Sequence, residues 1–200
     1  SGLAHIHASA ILPIDKYGAF GITVNSFGLD GYQFQRYALT YARQLFRNFS
    51  MSATFNLYQF RIEEYGNNFT PNVEIGFLTR LSENVALGVH IANPFPVKIS
   101  DQTTLPTLFT IGLQYKVSSL VYINADVEKH IRERQNFKFG INYKIAKILD
   151  LRAGFNTLPG TFYLGIGIQW KAIEVDLGNS YHQILGNSTG IGVVYRNEVK

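Results

Sequence analysis

The sequence predicts an all-β protein: a transmembrane, antiparallel, up-and-down β-barrel. Apolar and polar residues alternate with a period of two, as in Phe109–Lys116 and Phe137–Ile145. Successive side chains of a strand point to opposite faces, so this period indicates strands. The connections alternate in length, as in a meander whose two rims face the periplasm and the outside. Aromatic residues flank an aliphatic middle on the apolar face, which is typical of a lipid-facing wall.

Thirteen strands are predicted along the chain. Several approach the ~9–11 residues with which a tilted strand spans a bilayer. The predicted ranges are about 3–12, 17–27, 32–46, 49–62, 71–81, 85–93, 106–117, 120–129, 136–146, 149–156, 161–170, 173–182 and 188–196.

The predicted connections alternate strictly between short and long. Both terminal strands then end at the periplasmic rim, where the termini of bacterial barrels lie, although such barrels have even strand numbers. We therefore expect residues 1–200 to be one barrel domain that lacks its first strand, the complete protein having fourteen. Short connections are predicted near 13–16, 47–48, 82–84, 118–119, 146–149 and 171–172, and long ones near 28–31, 63–70, 93–105, 129–135, 157–160 and 183–187.

Composition excludes several other classes of protein. Charged residues make up 16% of the chain, against about 25% in soluble domains. No apolar run approaches the ~18 residues of a spanning helix. There is no cysteine, hence no disulfide framework or thiolate metal site. The net charge of +4 comes from scattered basic residues, so no nucleic-acid partner is expected. The N-terminus lacks a signal peptide, which has been removed or precedes this part of a longer protein.

A soluble β-sandwich binding module is the main alternative, because a sandwich also alternates with its apolar face inward. Two features favour the barrel. The polar face is rich in glycine, which costs stability in strands and so suggests a geometric need. These glycines are Gly76, Gly88, Gly112, Gly140, Gly154, Gly165, Gly167, Gly178, Gly190 and Gly192. The predicted aromatic girdles are Tyr115, Tyr143, Trp170 and Tyr195 at the short-turn rim and Phe137, Phe155, Phe162 and Tyr181 at the long-loop rim.

Ionisable residues on the polar face are candidates for a transport pathway or a polar ligand surface. The alternative is a cross-strand charge network with only a structural role. No catalytic spacing such as Gly-x-Ser-x-Gly or HExxH occurs, so no enzyme activity, cofactor or metal is expected. His5 and His7 share a face but have no further ligand beside them. The candidate lumen-facing residues are Glu74, His90, Asp126, Glu128, Lys138, Lys144, Arg152, Glu174, Asp176 and His182.

The longest predicted connection is the second candidate site. It opens with Asn93, Pro94, Phe95 and Pro96, and proline stiffens the chain and removes backbone donors. The segment should therefore leave the sheet abruptly at the extracellular rim, where recognition elements lie. We expect Phe95 to fold into the barrel mouth or to be presented to a partner. The alternative is a strand terminator, with Phe95 in the outer girdle.

The chain resembles the FadL-like outer-membrane barrels, and within them the PorV/PorQ-type branch. The resemblance covers nearly the whole chain and rests on the order and spacing of several segments: Tyr37–Arg43, Leu87–Pro94, Leu105–Gly112, Ala125–Lys129, Leu151–Phe155 with Leu158-Pro159 and Gly165–Gly167, and Ser180–Gly186.

The resemblance implies a fourteen-stranded barrel in the bacterial outer membrane. FadL-like members move hydrophobic small molecules with the help of an N-terminal hatch and a lateral opening. PorV/PorQ-like members serve type IX secretion as shuttles or attachment scaffolds for exported proteins. The hatch and first strand have no counterpart in residues 1–200. The expected partners are outer-membrane lipid and either hydrophobic small molecules or secretion-system proteins. A plain structural porin is the other membrane alternative.

Overall fold

The computed structural model describes residues 4–29, 31–62, 66–95, 97–98, 104–131 and 133–197. Thirteen antiparallel strands follow one another in chain order in one sheet, and a two-stranded hairpin lies beside them. This confirms the predicted all-β, up-and-down fold. Within these residues no helix is long and apolar enough to cross a membrane. The strands are β1 Ala4–Ile14, β2 Gly18–Leu29, β3 Tyr32–Phe46, β4 Phe49–Ile62, β5 Gly66–Arg80, β6 Val85–Ala92, β7 Val97–Lys98, β8 Thr104–Leu105, β9 Leu108–Lys116, β10 Val121–His130, β11 Asn136–Ala146, β12 Leu149–Asn156, β13 Thr161–Trp170, β14 Ile173–His182 and β15 Gly186–Tyr195.

The chain divides into two compact units. Unit 1 comprises residues 1–80, 88–110 and 130–133 and contains β1 to β5. The register of its strands places polar side chains on one face and apolar side chains on the other. Thr40 lies opposite Thr54, and Thr54 lies opposite Glu74, which builds a polar face. Leu39 lies opposite both Ile22 and Phe55, so apolar residues share the other face.

Unit 2 comprises residues 81–87, 111–129 and 134–200 and contains β11 to β15. Its register produces the same division. On the apolar face, one cross-strand row runs Tyr143, Leu151, Ile166, Leu177 and Ile191. On the polar face, a row runs Arg152, Gly165, Gly178 and Gly190, so the predicted glycine stripe brings glycines of three adjacent strands side by side.

The apolar face is exposed in both units. Among the described residues, Ala38 at 6% exposure is the one buried hydrophobic residue. Residues expected to face outward, including Phe109, Ile111, Leu164 and Ile166, are exposed. A soluble sandwich would bury such residues between its sheets, because burial of apolar area drives folding in water. The apolar face therefore requires a non-aqueous environment, which disfavours the sandwich.

One prediction about the connections is wrong. Their strict short–long alternation does not hold, because β3 begins at Tyr32 directly after a two-residue connection and β5 already begins at Gly66. Part of the expected connection, residues 63–65, lies outside the described residues. Pro71 falls inside β5 rather than at its start. Pro71 lies opposite Leu57 of β4, and Asn93 N donates to Val73 O two residues further along β5.

The connection between β6 and β9 is the longest, and it contains the hairpin of β7 and β8, in which Val97 lies opposite Leu105. The sequence pattern did not predict this hairpin, because its strands have two residues each. β7 contacts β5, on which Thr70 and Asn72 are buried. We call the end of the sheet that carries this connection the loop rim, and the opposite end the turn rim.

Candidate functional site

A part-buried polar cluster, the Glu74 network, lies on the polar face of unit 1. Glu74 Oε1 accepts hydrogen bonds from Arg36 Nη2 at 3.1 Å and from Asn56 Nδ2 at 2.9 Å. Arg36 Nε also donates to Asn56 Oδ1 at 2.7 Å, and His90 Nε2 lies 3.1 Å from Glu74 Oε2. Asn56 is fully buried. Two of the predicted lumen-facing residues, Glu74 and His90, are thus brought together, and Arg36 balances the part-buried carboxylate.

Aromatic side chains adjoin this network and form what we call the aromatic patch: Phe34, Tyr58 and Phe60. Phe34 and Phe60 are cross-strand neighbours whose ring centroids lie 5.1 Å apart. Phe34 stacks on Tyr58 at 5.6 Å, and Tyr58 lies directly opposite Arg36. The patch is therefore on the polar face, close to the loop rim. It presents apolar surface where a simple aqueous pore would present polar groups.

A second charged cluster, the Arg152 network, lies on the polar face of unit 2. Arg152 donates from Nη1 to Asp176 Oδ1 at 2.6 Å and from Nη2 to Glu174 Oε1 at 2.7 Å. Asp150 Oδ2 lies 3.8 Å from Arg152 Nη2, and Arg196 Nη1 lies 2.6 Å from Glu174 Oε2. Three carboxylates thus share two guanidinium groups, a geometry that favours short charge-assisted bonds.

Gly167 makes the Arg152 network possible. Arg152 is on β12 and its carboxylate partners are on β14, so its side chain must cross β13. A Cβ atom at Gly167 would lie 2.8 Å from Asp176 Oδ1 and 3.0 Å from Arg152 Nη2. A Cβ atom at this position would therefore require Asp176 or Arg152 to shift. The glycine stripe consequently has a local role beyond curvature.

The remaining predicted polar residues occupy separate places. Lys138 Nζ donates to Glu128 Oε2 at 2.6 Å. The carboxylate of Asp126 lies over Gly112, where a Cβ atom would collide with it. Lys144, exposed, lies opposite Asp150. His182 Nδ1 accepts backbone hydrogen bonds from Ile184 and Leu185, so it caps the turn between β14 and β15.

No metal site emerges from these side chains: within the described ranges, no three His, Cys, Asp or Glu residues are grouped to hold an ion. His7 Nδ1 instead lies 2.6 Å from Asn25 Oδ1. The residues of both predicted girdles are exposed on the apolar face: Tyr115, Tyr143, Trp170, Tyr195, Phe137, Phe155, Phe162 and Tyr181.

Asn93 anchors the candidate loop. Its backbone has a positive φ of 53°, its side chain is buried, and its Nδ2 donates to Leu105 O. Its carbonyl accepts a bond from Thr107 Oγ1 at 2.7 Å. The chain therefore turns away from the sheet at Asn93, one residue before Pro94. Phe95 is 69% exposed, and Pro96 lies outside the described residues.

Sequence reasoning missed Arg36, Asn56 and the aromatic patch in unit 1, and Asp150 and Arg196 in unit 2. The phase of β3 and β4 was readable from their alternation, but the register that places Arg36 beside Glu74 was not. Phe34 and Phe60 stand in phase with polar residues, and this break in the alternation was the available signal.

Comparison with known proteins gives the fold but no family. No family model and no curated protein matches the sequence. Solved structures do match. The toluene transporter TbuX of Ralstonia pickettii has a TM-score of 0.73 at 9% identity, over 94% of this chain and 79% of that chain. The toluene transporter TodX of Pseudomonas putida has a TM-score of 0.71 at 12% identity, over 94% and 80%.

A Pseudomonas aeruginosa FadL homologue is also similar, with a TM-score of 0.66 at 10% identity, over 94% of this chain and 74% of that chain. At these identities the likeness establishes the fold alone. The chain folds like FadL-type transporters, and its neighbours are transporters and porins rather than enzymes. These neighbours support the predicted outer-membrane location.

Proposed function

We propose that this chain forms the wall of an outer-membrane channel for hydrophobic small molecules. The exposed apolar face contacts lipid, and the polar face, with its glycines and charge networks, lines the lumen. The transporters that share its fold are described as carrying toluene. We extend to this chain the class of hydrophobic solute, and not toluene itself.

The observation that carries this proposal is the aromatic patch. Phe34, Tyr58 and Phe60 lie on the lumen-facing side of the sheet, half-buried and next to the Glu74 network. Stacked rings bind apolar or aromatic solutes through their faces and edges, whereas they offer little to hydrated ions. A lumen with such a patch favours hydrophobic permeants over the sugars and salts of a plain porin.

The test is solute flux into proteoliposomes. The double variant Phe34→Ser, Phe60→Ser should slow the entry of a monoaromatic hydrocarbon severalfold and leave the entry of a small sugar unchanged. The matched control, Phe109→Ser, removes a phenyl ring from the exposed apolar face and should leave both rates unchanged. Equal hydrocarbon entry through the double variant and the wild-type protein would contradict the proposal.

A second candidate function is a secretion-associated scaffold of the PorV/PorQ type. The observation in its favour is that the loop rim presents apolar tips. In unit 2, Ile184 and Leu185 are 88% and 81% exposed on the turn that His182 caps, and in unit 1 Phe95 is exposed above the anchored Asn93. Ordered apolar side chains at loop tips suit protein recognition.

Shortening the loop between Val97 and Thr104 distinguishes the two functions. In cells of a species with a type IX system, loss of hydrophobic-substrate uptake alone supports the channel, and loss of protein export alone supports the scaffold. If a folded variant retains both activities, the loop has no functional role and the assignment of a site to it fails.

A further inference from the structure

An apolar groove of about 700 Å³ lies in unit 2. Most of its lining residues belong to the apolar face, among them Tyr143, Leu151, Ala153, Leu164, Ile166 and Leu177. Its depth has a simple cause. Ala153 is short and lies between Ile141 and Leu164 in the cross-strand row, so the wall recedes there. The groove therefore opens on the surface that faces lipid in the proposed function, on which this inference rests.

Two lysines stand at the turn rim of the same strands. Lys147 is in the turn between β11 and β12, and Lys171 is in the turn between β13 and β14. The turns are neighbours, because Gln169 N donates to Ile148 O at 2.9 Å. Both lysines are exposed, and neither forms an ion pair with another described residue. Lys171 Nζ lies 5.5 Å from the centroid of the Trp170 ring.

The spacing of lysines and groove matches one lipid leaflet. Lys147 precedes Leu151 by four positions and Lys171 follows Ile166 by five. At roughly 3.3 Å per residue, these separations are about 13 and 17 Å. The acyl chains of one leaflet span about 15 Å, half of the hydrocarbon core. A phosphate held by the lysines would thus place an acyl chain along the groove.

We propose that the groove and Lys147 with Lys171 form a binding site for one anionic phospholipid. The ammonium groups bind the phosphate and the anionic headgroup, the Trp170 ring lies at headgroup level, and an acyl chain fills the groove over Ala153. The turn rim is opposite the longest connection, so it faces the periplasmic leaflet, in which phospholipids are the expected lipid.

The test is competition between two lipids of equal chain length. The protein is folded into nanodiscs that contain equal parts of phosphatidylglycerol and phosphatidylcholine, released into mild detergent, and the retained lipid is identified by native mass spectrometry. The wild-type protein should retain phosphatidylglycerol in excess. In K147Q/K171Q this excess should fall at least about fivefold, since each basic residue near an anionic surface contributes about that factor.

Two further variants separate the site from general charge attraction. K16Q/K116Q removes two positive charges elsewhere on the turn rim. It should leave the excess of phosphatidylglycerol unchanged. Ala153→Phe fills the groove without changing charge and should lower phospholipid retention. An equal fall in both lysine double variants, or no excess in the wild-type protein, would overturn the inference.

Folding is monitored independently by heat-modifiable electrophoretic mobility in phosphatidylcholine vesicles. A protein that does not fold into these vesicles contradicts the proposed membrane function and the lipid site together. A protein that folds but shows no preference for phosphatidylglycerol contradicts the lipid site alone.

Discussion

At the scale of single residues, small and charged side chains of the polar face depend on one another. Gly167 leaves the space through which Arg152 reaches Asp176 and Glu174. Glu174 is buried, and an unpaired buried charge is costly. The guanidinium is therefore more than a surface ion pair, whose contribution would be close to zero.

Arg152→Gln is expected to lower the free energy of unfolding from lipid vesicles by about 1.5–3 kcal/mol, the usual range for a hydrogen bond to a charged group. Asp176→Asn should cost less, because Arg152 keeps its bond to Glu174 and Glu174 keeps its bond to Arg196. The control is Lys16→Gln, which removes an exposed charge without an ion pair. Denaturant titration measures all three variants, and equal stability of R152Q and K16Q would contradict this role of Arg152.

Strand β13, which carries Gly167, also allows a test of which face of the sheet contacts lipid. Ile166 is exposed near the middle of β13, on the apolar face. Ile166→Arg should cost about 2–4 kcal/mol of membrane stability, because a cation there faces hydrocarbon. Ile166→Leu is the matched control and should have little effect. Gly167→Arg should also destabilise, but through displacement of Arg152. If I166R is as stable as I166L, the apolar face does not contact lipid.

Individual contacts were the least predictable from sequence. Alternation told which face Glu74, His90 and Arg152 occupy, because strand period is a local property of the chain. It could not tell that Arg36 and Asn56 surround Glu74, since this depends on the registers of β3, β4 and β5 together. Phe34 and Phe60 were overlooked although they break the alternation of β3 and β4, and only the register shows that they are neighbours.

At the scale of elements, regular strands were predictable and connections were less so. Ten or more residues of unbroken alternation define β11 and β13 almost to the residue. β5 begins at Gly66, five residues before its predicted start, and Pro71 lies inside it. The β7–β8 hairpin is too short for any period to reveal it.

Asn93 anchors the connection between β6 and β9, so its substitution should loosen this whole loop. Asn93→Ala removes the bond from Nδ2 to Leu105 O and places a residue with a Cβ penalty at a positive φ. Asn93→Gly removes only the bond, because glycine adopts this conformation without strain. Limited proteolysis of the folded protein should cleave the loop fastest in N93A, more slowly in N93G and slowest in the wild-type protein. Equal cleavage of N93G and N93A, both faster than the wild-type protein, would show that the side-chain bond, and not the conformation, holds the loop.

At the scale of the whole molecule, we infer that one face of the sheet contacts lipid and the other contacts water. Neither unit, among the described residues, buries its apolar face, and the solved structures with this fold are outer-membrane barrels. Composition already indicated this environment. The small share of charged residues is unusual for a soluble domain, and the lack of a long apolar run excludes a membrane-spanning helix. What passes through the lumen depends on residues such as Phe34 and Tyr58, which composition does not single out.

The most direct test is a spin-label scan of β13 in lipid vesicles. The sequence contains no cysteine, so single cysteines can be introduced without background. Labels at Phe162, Leu164, Ile166 and Ile168 should collide with oxygen, which partitions into lipid. Labels at Tyr163, Gly165, Gly167 and Gln169 should collide with a water-soluble nickel complex. A strand with one side in lipid and the other in water gives this alternation with a period of two. Apolar positions that neither reagent reaches, as in a closed protein core, would contradict it.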